Sequence, residues 1–182
     1  MFECALRATG GHAIEDLGQV AAVSRQTFDE RATFRFRTQP PCLEYVSLLI
    51  ETALLLRTHR DGRVYVGFER LSRMEPIVAR YLRIADVSER VYVFGEPDWQ
   101  PPRHPNMRLI NVAPDARLAR EWFVVADSPA LRVALVARDE DGLDAPDLAA
   151  RNFSACKSSD PHVVAQLAAA AEGLIDATLT GS

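Results

Sequence analysis

The chain has 182 residues, 48% of them hydrophobic and 25% charged, with a formal net charge of -4. That length suits one α/β domain able to bury a core without metals or disulfides, and the acidic balance gives no global drive toward nucleic acid or an anionic membrane. The three cysteines, Cys4, Cys42 and Cys156, are widely spaced, and the four histidines are isolated, so neither a disulfide framework nor a local metal motif is expected.

The start, MFECALRATGG, lacks the basic and apolar regions of a secretory signal. The longest apolar stretch, Val46 to Leu56, is broken by Ser47, Glu51 and Thr52. It falls short of the roughly 20 residues that span a bilayer. A cytoplasmic protein with no membrane contact is expected. Ile14, Leu17 and Ala21 fall at helical spacing and predict a short helix near Ala13–Val23. Residues Ala32–Arg37 set Phe34 and Phe36 on one side, as a strand does.

Pro40-Pro41 opens a stronger helix, proline being well tolerated in a first turn. Leu43, Val46, Ile50, Ala53 and Leu54 form its apolar stripe, widened by Leu49 and Leu56, with Glu44 and Glu51 at the polar margin. Asp61-Gly62 closes the connection to a strand over Arg63–Phe68. Ile77, Val78, Tyr81, Leu82 and Ala85 then recur at helical spacing, and Arg90–Phe94 is a second strand. Strand, helix and strand within about 30 residues make a βαβ unit with a parallel pair.

GEPDWQPPRHPN is a proline-rich loop. Strands follow at Met107–Val112, Trp122–Ala126 and Leu131–Ala137, the last two joined by Asp127-Ser128-Pro129 as a hairpin. An acidic loop spans Asp139–Asp147, and Asn152–Cys156 is a short strand. Asp160 caps a final helix, with Pro161 in its first turn. Val164, Leu167, Ala171, Leu174, Ile175 and Thr178 line its inner face. The fold class is α/β, with a mixed, partly parallel sheet of about five to seven strands flanked by two or three helices.

Two strand ends concentrate chemistry. Phe68, Glu69, Arg70 and Arg73 follow the first strand of the βαβ unit, and Gly95, Glu96, Asp98 and Trp99 follow the second. Open α/β sheets bind ligands outside the carboxyl ends of such strands. Arg70 and Arg73 suit an anion, unless local acids such as Glu69 and Glu75 pair with them. Gly95 permits close backbone approach, Glu96 and Asp98 accept hydrogen bonds, and Trp99 suits a planar ring, against the plainer reading of a Pro-Asp turn with packed Trp99. Trp122 fits a pocket wall or the core, and Arg151 with Phe153 either caps that pocket or packs beneath the last helix. The expected pocket lies between the two strand ends under the proline-rich loop. Asp127, Ser128 and His162 lack the setting of a catalytic triad, and no phosphate-binding glycine loop occurs. No catalytic or metal-binding residue is assigned, and no cofactor follows from these residues.

Val64-Tyr65-Val66-Gly67-Phe68-Glu69-Arg70-Leu71-Ser72-Arg73, Tyr81 with Arg90-Val91-Tyr92-Val93-Phe94-Gly95, Glu121-Trp122-Phe123-Val124-Val125 with Ala134-Leu135-Val136-Ala137-Arg138, and Arg151-Asn152-Phe153 stand in an order that resembles the DICT sensory domain. The resemblance runs over roughly residues 20–178 of a single domain 1–182. It implies a bacterial signalling role: sensing a light-linked or metabolic signal through an unknown small-molecule ligand, without catalysis. Since no output module is recognised, the signal is expected to pass to a separate cyclase, kinase or transcription factor, and a homodimer is compatible with this. Two other readings stand beside it. Asp16–Phe28 looks superficially like a helix-turn-helix with Arg25 and Gln26 toward DNA, although the acidic charge disfavours nucleic acid. A small enzyme with a site assembled from distant residues is the other.

Overall fold

In the computed structural model, residues 1–10, 15–22, 33–57, 60–142 and 145–180 are described. The chain opens with α1 (Phe2–Thr9), β1 (Glu15–Gln19), β2 (Thr33–Thr38) and α2 (Pro40–Leu55). The βαβ unit follows as β3 (Arg63–Arg70), a 3-10 turn (Leu71–Ile77), α3 (Val78–Asp86) and β4 (Arg90–Glu96). Then come β5 (Met107–Asn111), β6 (Glu121–Ser128), β7 (Leu131–Asp139), β8 (Phe153–Ser158) and α4 (Pro161–Thr180).

The strands form one eight-stranded sheet in the order β1-β2-β8-β7-β6-β3-β4-β5. β3, β4 and β5 run parallel to one another, as do β1 and β2, while β6, β7 and β8 form an antiparallel centre. The sheet is thus mixed and partly parallel, with more strands than the sequence pattern suggests.

Both faces are covered. Val64, Val66 and Phe68 of β3 pack with Val46, Ile50 and Leu54 of α2 and with Tyr81 and Ile84 of α3. On the other face, Tyr65, Phe123 and Val136 pack with Phe2 and Ala5 of α1 and with Val164, Leu167 and Ala171 of α4. Alternate residues of one strand therefore feed two cores. This explains why β3 is buried from Val64 through Glu69 and reads as a nearly continuous apolar run. Each fully buried Val, Leu or Ile contributes about 1.5–3 kcal/mol.

Local chemistry sets the ends of the elements. Pro40 and Pro41 occupy the first positions of α2, where no intrahelical N–H is needed. Asp160 accepts from the N–H groups of His162 and Val163 at 2.8 and 3.4 Å and caps α4. Gly62 adopts φ 73°, and a Cβ there would lie 2.1 Å from that of Ser128, so glycine is required at this turn. Tyr65 and Tyr92 sit side by side on β3 and β4, their rings stacked 5.5 Å apart.

Four expectations are corrected. Residues Glu15–Gln19 form an edge strand beside β2, in place of the helix over 13–23. Hydrogen bonding to β2 overrides the local periodicity. The same strand removes the first helix of the helix-turn-helix reading; Arg25 and Gln26 lie outside the described residues. Glu51 is not at a polar margin but on the buried side of α2, 2% exposed. Four helices, rather than two or three, are present among the described residues.

Candidate functional site

α2 lies over β6 and β7, and α3 lies over β4. Between the two helices, above the paired residues Phe68 and Trp122 of β3 and β6, opens a cleft of about 450 Å³. Its floor is aromatic, made by Phe68 and Trp122, and its rim carries Tyr45 and Leu48 of α2. Ile77 and Pro76 close the opposite side. The Trp122 ring is fixed on two sides: its indole N–H donates to Ser47 Oγ at 3.1 Å, and Phe153 meets it edge-on at 6.4 Å between centroids.

Four charged side chains reach this cleft: Glu44, Glu51, Arg73 and Arg80. Arg80 donates to Glu51 at 2.6 Å, and the Tyr81 hydroxyl donates to the other Glu51 oxygen at 2.7 Å. Burial, reinforced by Glu51, holds the Tyr81 hydroxyl well above its ordinary value, so it remains a donor. Arg73 approaches Glu69 at 3.3 Å. Burial pulls the Arg73 guanidinium below its ordinary value, and Glu69 opposes that pull.

Behind Arg73 lies a buried ion group. Glu69 receives both Arg151 terminal nitrogens at 3.1 Å, and Arg151 also donates to Asp139 at 2.5 Å. The side chains of all three are 0% exposed. Burial lowers the Arg151 guanidinium, but its two carboxylates outweigh that and the net shift is upward. The Arg151 guanidinium also lies 5.1 Å from the Phe153 ring centroid. Glu69 has φ 60° and is the one non-glycine residue with positive φ among the described residues. It falls where the β3–β4 register shifts between Gly67 and Arg70. One extra residue there breaks the strand's alternation, and bulges of this kind re-aim side chains. The cost of the left-handed conformation, of order 1–3 kcal/mol, is borne where three elements meet.

The residues singled out in sequence divide into two groups. Phe68, Arg73 and Trp122 line the cleft, with Glu69 directly behind Arg73. The others hold the neighbouring strand end together. Arg70 pairs with Glu96 at 3.2 Å, and Asp98 accepts from Ser72 N–H at 2.9 Å and from its hydroxyl at 2.5 Å. A Cβ on Gly95 would meet Leu71 at 3.0 Å, so its small size serves packing of the 3-10 turn. Trp99 packs against the core as a partly buried ring. The cleft thus lies on the β6 side of β3, not between the β3 and β4 ends, and among the described residues the proline-rich loop lines none of it.

Asp139 and Tyr45 escaped sequence reasoning. Asp139 looks like the first residue of an acidic loop, and nothing local marks it as the partner of Arg151. Tyr45 does carry a signal, an aromatic beside the acidic margin of α2, but periodicity reads it as solvated surface. Among the described residues, no group of three His, Cys, Asp or Glu side chains is arranged to hold a metal ion.

A mixed sheet with helices on both faces and a cleft beside the carboxyl end of a parallel strand defines a three-layer α/β protein. The chain belongs to the DICT family, described as a sensory domain in diguanylate cyclases and two-component systems, which matches residues 37–140. That span takes in α2, α3 and the whole cleft, while Arg151 lies beyond it. The crystal structure of polyphosphate kinase from Porphyromonas gingivalis has a similar fold, with a TM-score of 0.54 at 11% sequence identity. The likeness covers 85% of this chain but 30% of that one, and it concerns the fold alone. No curated protein matches the sequence.

Proposed function

We propose that this chain is a non-catalytic sensor of a small molecule, held in the α2–α3 cleft, and that it signals to a separate output protein in the cytoplasm. The output protein would be a cyclase, a kinase or a transcription factor. One observation carries the reading: Arg73 stands in the cleft wall and is at the same time an ion partner of buried Glu69. Glu69, Asp139 and Arg151 alone hold one negative charge in excess, and Arg73 balances it. A ligand that moves Arg73 therefore unbalances a buried network, where an uncompensated charge is costly. Asp139 ends β7 and Arg151 precedes β8, so the disturbance reaches the β7–β8 connection. That connection is the proposed output surface.

The cleft is within the usual 300–1,000 Å³ of small-molecule sites, and its mainly apolar lining with few polar groups fits one. The test is native mass spectrometry of the purified chain, followed by thermal shift across a metabolite panel. A bound metabolite that raises Tm is expected, with the effect lost in Leu48→Arg, which fills the cleft from its exposed rim. Absence of any binder, or a binder indifferent to Leu48→Arg, would contradict the proposal.

A further inference from the structure

We infer that the ligand of the α2–α3 cleft is a planar aromatic molecule with no net charge, neutral or zwitterionic, and not a phosphorylated or otherwise anionic one. This rests on the cleft being the sensory site. Tyr45, Phe68 and Trp122 line the space, and aromatic walls favour a flat ring over a flexible chain. The two arginines are already matched by carboxylates. Arg80 is 2.6 Å from Glu51, and Arg73 is 3.3 Å from Glu69. The side chains of Glu51 and Glu69 are 2% and 0% exposed, so taking either arginine away strands a buried carboxylate. Glu44 adds a further negative charge at the cleft edge.

The start of α2 offers a phosphate no backbone donor from its first two residues. Helix N-termini commonly bind phosphate through their free N–H groups, but α2 begins with Pro40 and Pro41, which have none. Pro41 itself lines the cleft. At the start of the 3-10 turn the N–H of Ser72 is taken by Asp98 at 2.9 Å. An anion entering this cleft would find no guanidinium without a buried carboxylate partner, and no N–H from the first two residues of α2. An uncharged or zwitterionic ring packs on the aromatic floor and brings no charge that competes with Glu51 or Glu69 for their arginines, so it shifts Arg73 by contact alone.

A matched indole series tests this by calorimetry on the full chain: indole-3-ethanol, tryptophan, tryptamine, indole-3-acetate and indole-3-ethyl phosphate. The neutral and zwitterionic members are expected to bind at least about tenfold more tightly than the acetate and the phosphate, with all binding lost in Leu48→Arg. Glu51→Gln, which releases Arg80, is expected to bring indole-3-acetate up by about the same factor. Tightest binding by tryptamine, the acetate or the phosphate, still lost in Leu48→Arg, overturns the ligand class and leaves the cleft standing. Binding unchanged in Leu48→Arg overturns the cleft as the site. No binding by any member at millimolar concentration overturns the ligand class, while the metabolite panel decides the sensory reading independently.

Discussion

Arg151 concentrates the energetics at the scale of single residues. Its guanidinium holds Glu69 and Asp139 together with no water access to any of the three side chains. Removing one partner of a buried pair costs about 3–5 kcal/mol, because the other charges are left uncompensated. Arg151→Met is therefore expected to lower unfolding stability by about that amount in a urea titration. Adding Glu69→Gln and Asp139→Asn to it should recover part of the loss, since the two buried charges it leaves uncompensated are then removed. A loss of under about 0.5 kcal/mol, the range of ordinary surface substitutions, would remove the ion group from the account. In sequence, Glu69 and Arg151 stand 82 positions apart, and no local pattern links them. Their partnership arises only because β3 and the approach to β8 meet at one end of the sheet.

Elements show where sequence reasoning holds and where tertiary context overrides it. The stripe Leu43, Val46, Ile50 and Leu54 is buried as periodicity requires, and the βαβ unit appears as the parallel pair β3 and β4. Asp61-Gly62, the β6–β7 hairpin and the Asp160 cap follow from turn chemistry and were legible for that reason. β1 was not, because a five-residue edge strand with only Leu17 turned partly inward carries too little alternation to outweigh three apolar residues at helical spacing. α1 also went unread, its eight residues being buried at Phe2, Ala5 and Thr9 by α4 and the sheet. Asp98 ties the loop after β4 to the 3-10 turn through Ser72. Burial raises its carboxyl, but the Ser72 hydrogen bonds, a backbone hydrogen bond and the nearby Arg70 together outweigh it and hold the group below its ordinary value of 3.8. A depressed carboxylate stabilises above its unfolded value and ceases to do so as pH falls through its folded one. Asp98→Ala should cost about 1 kcal/mol near neutrality, and the difference from the unaltered chain should shrink as pH is lowered below 3.8. A difference that persists undiminished in acid would assign Asp98 a different role.

At the scale of the whole molecule, one sheet joins the cleft to the proposed output surface. Glu69 is the penultimate residue of β3, β7 ends in Asp139, and Arg151 precedes β8, so three strand ends meet in one ion group. A ligand shifts such a group by no more than its differential affinity for the states the group takes. The family assignment supplies the sensory role; the aromatic floor, the paired arginines and the strained Glu69 supply a physical route for it. Hydrogen exchange on the full chain, with and without the metabolite recovered by native mass spectrometry, tests that route most directly. Changed protection of the amides of residues 139–142 and 145–152 on ligand binding, abolished in Arg73→Gln while the cleft still binds, is the result predicted. Protection changes confined to α2 and the 3-10 turn, identical in Arg73→Gln, would contradict it.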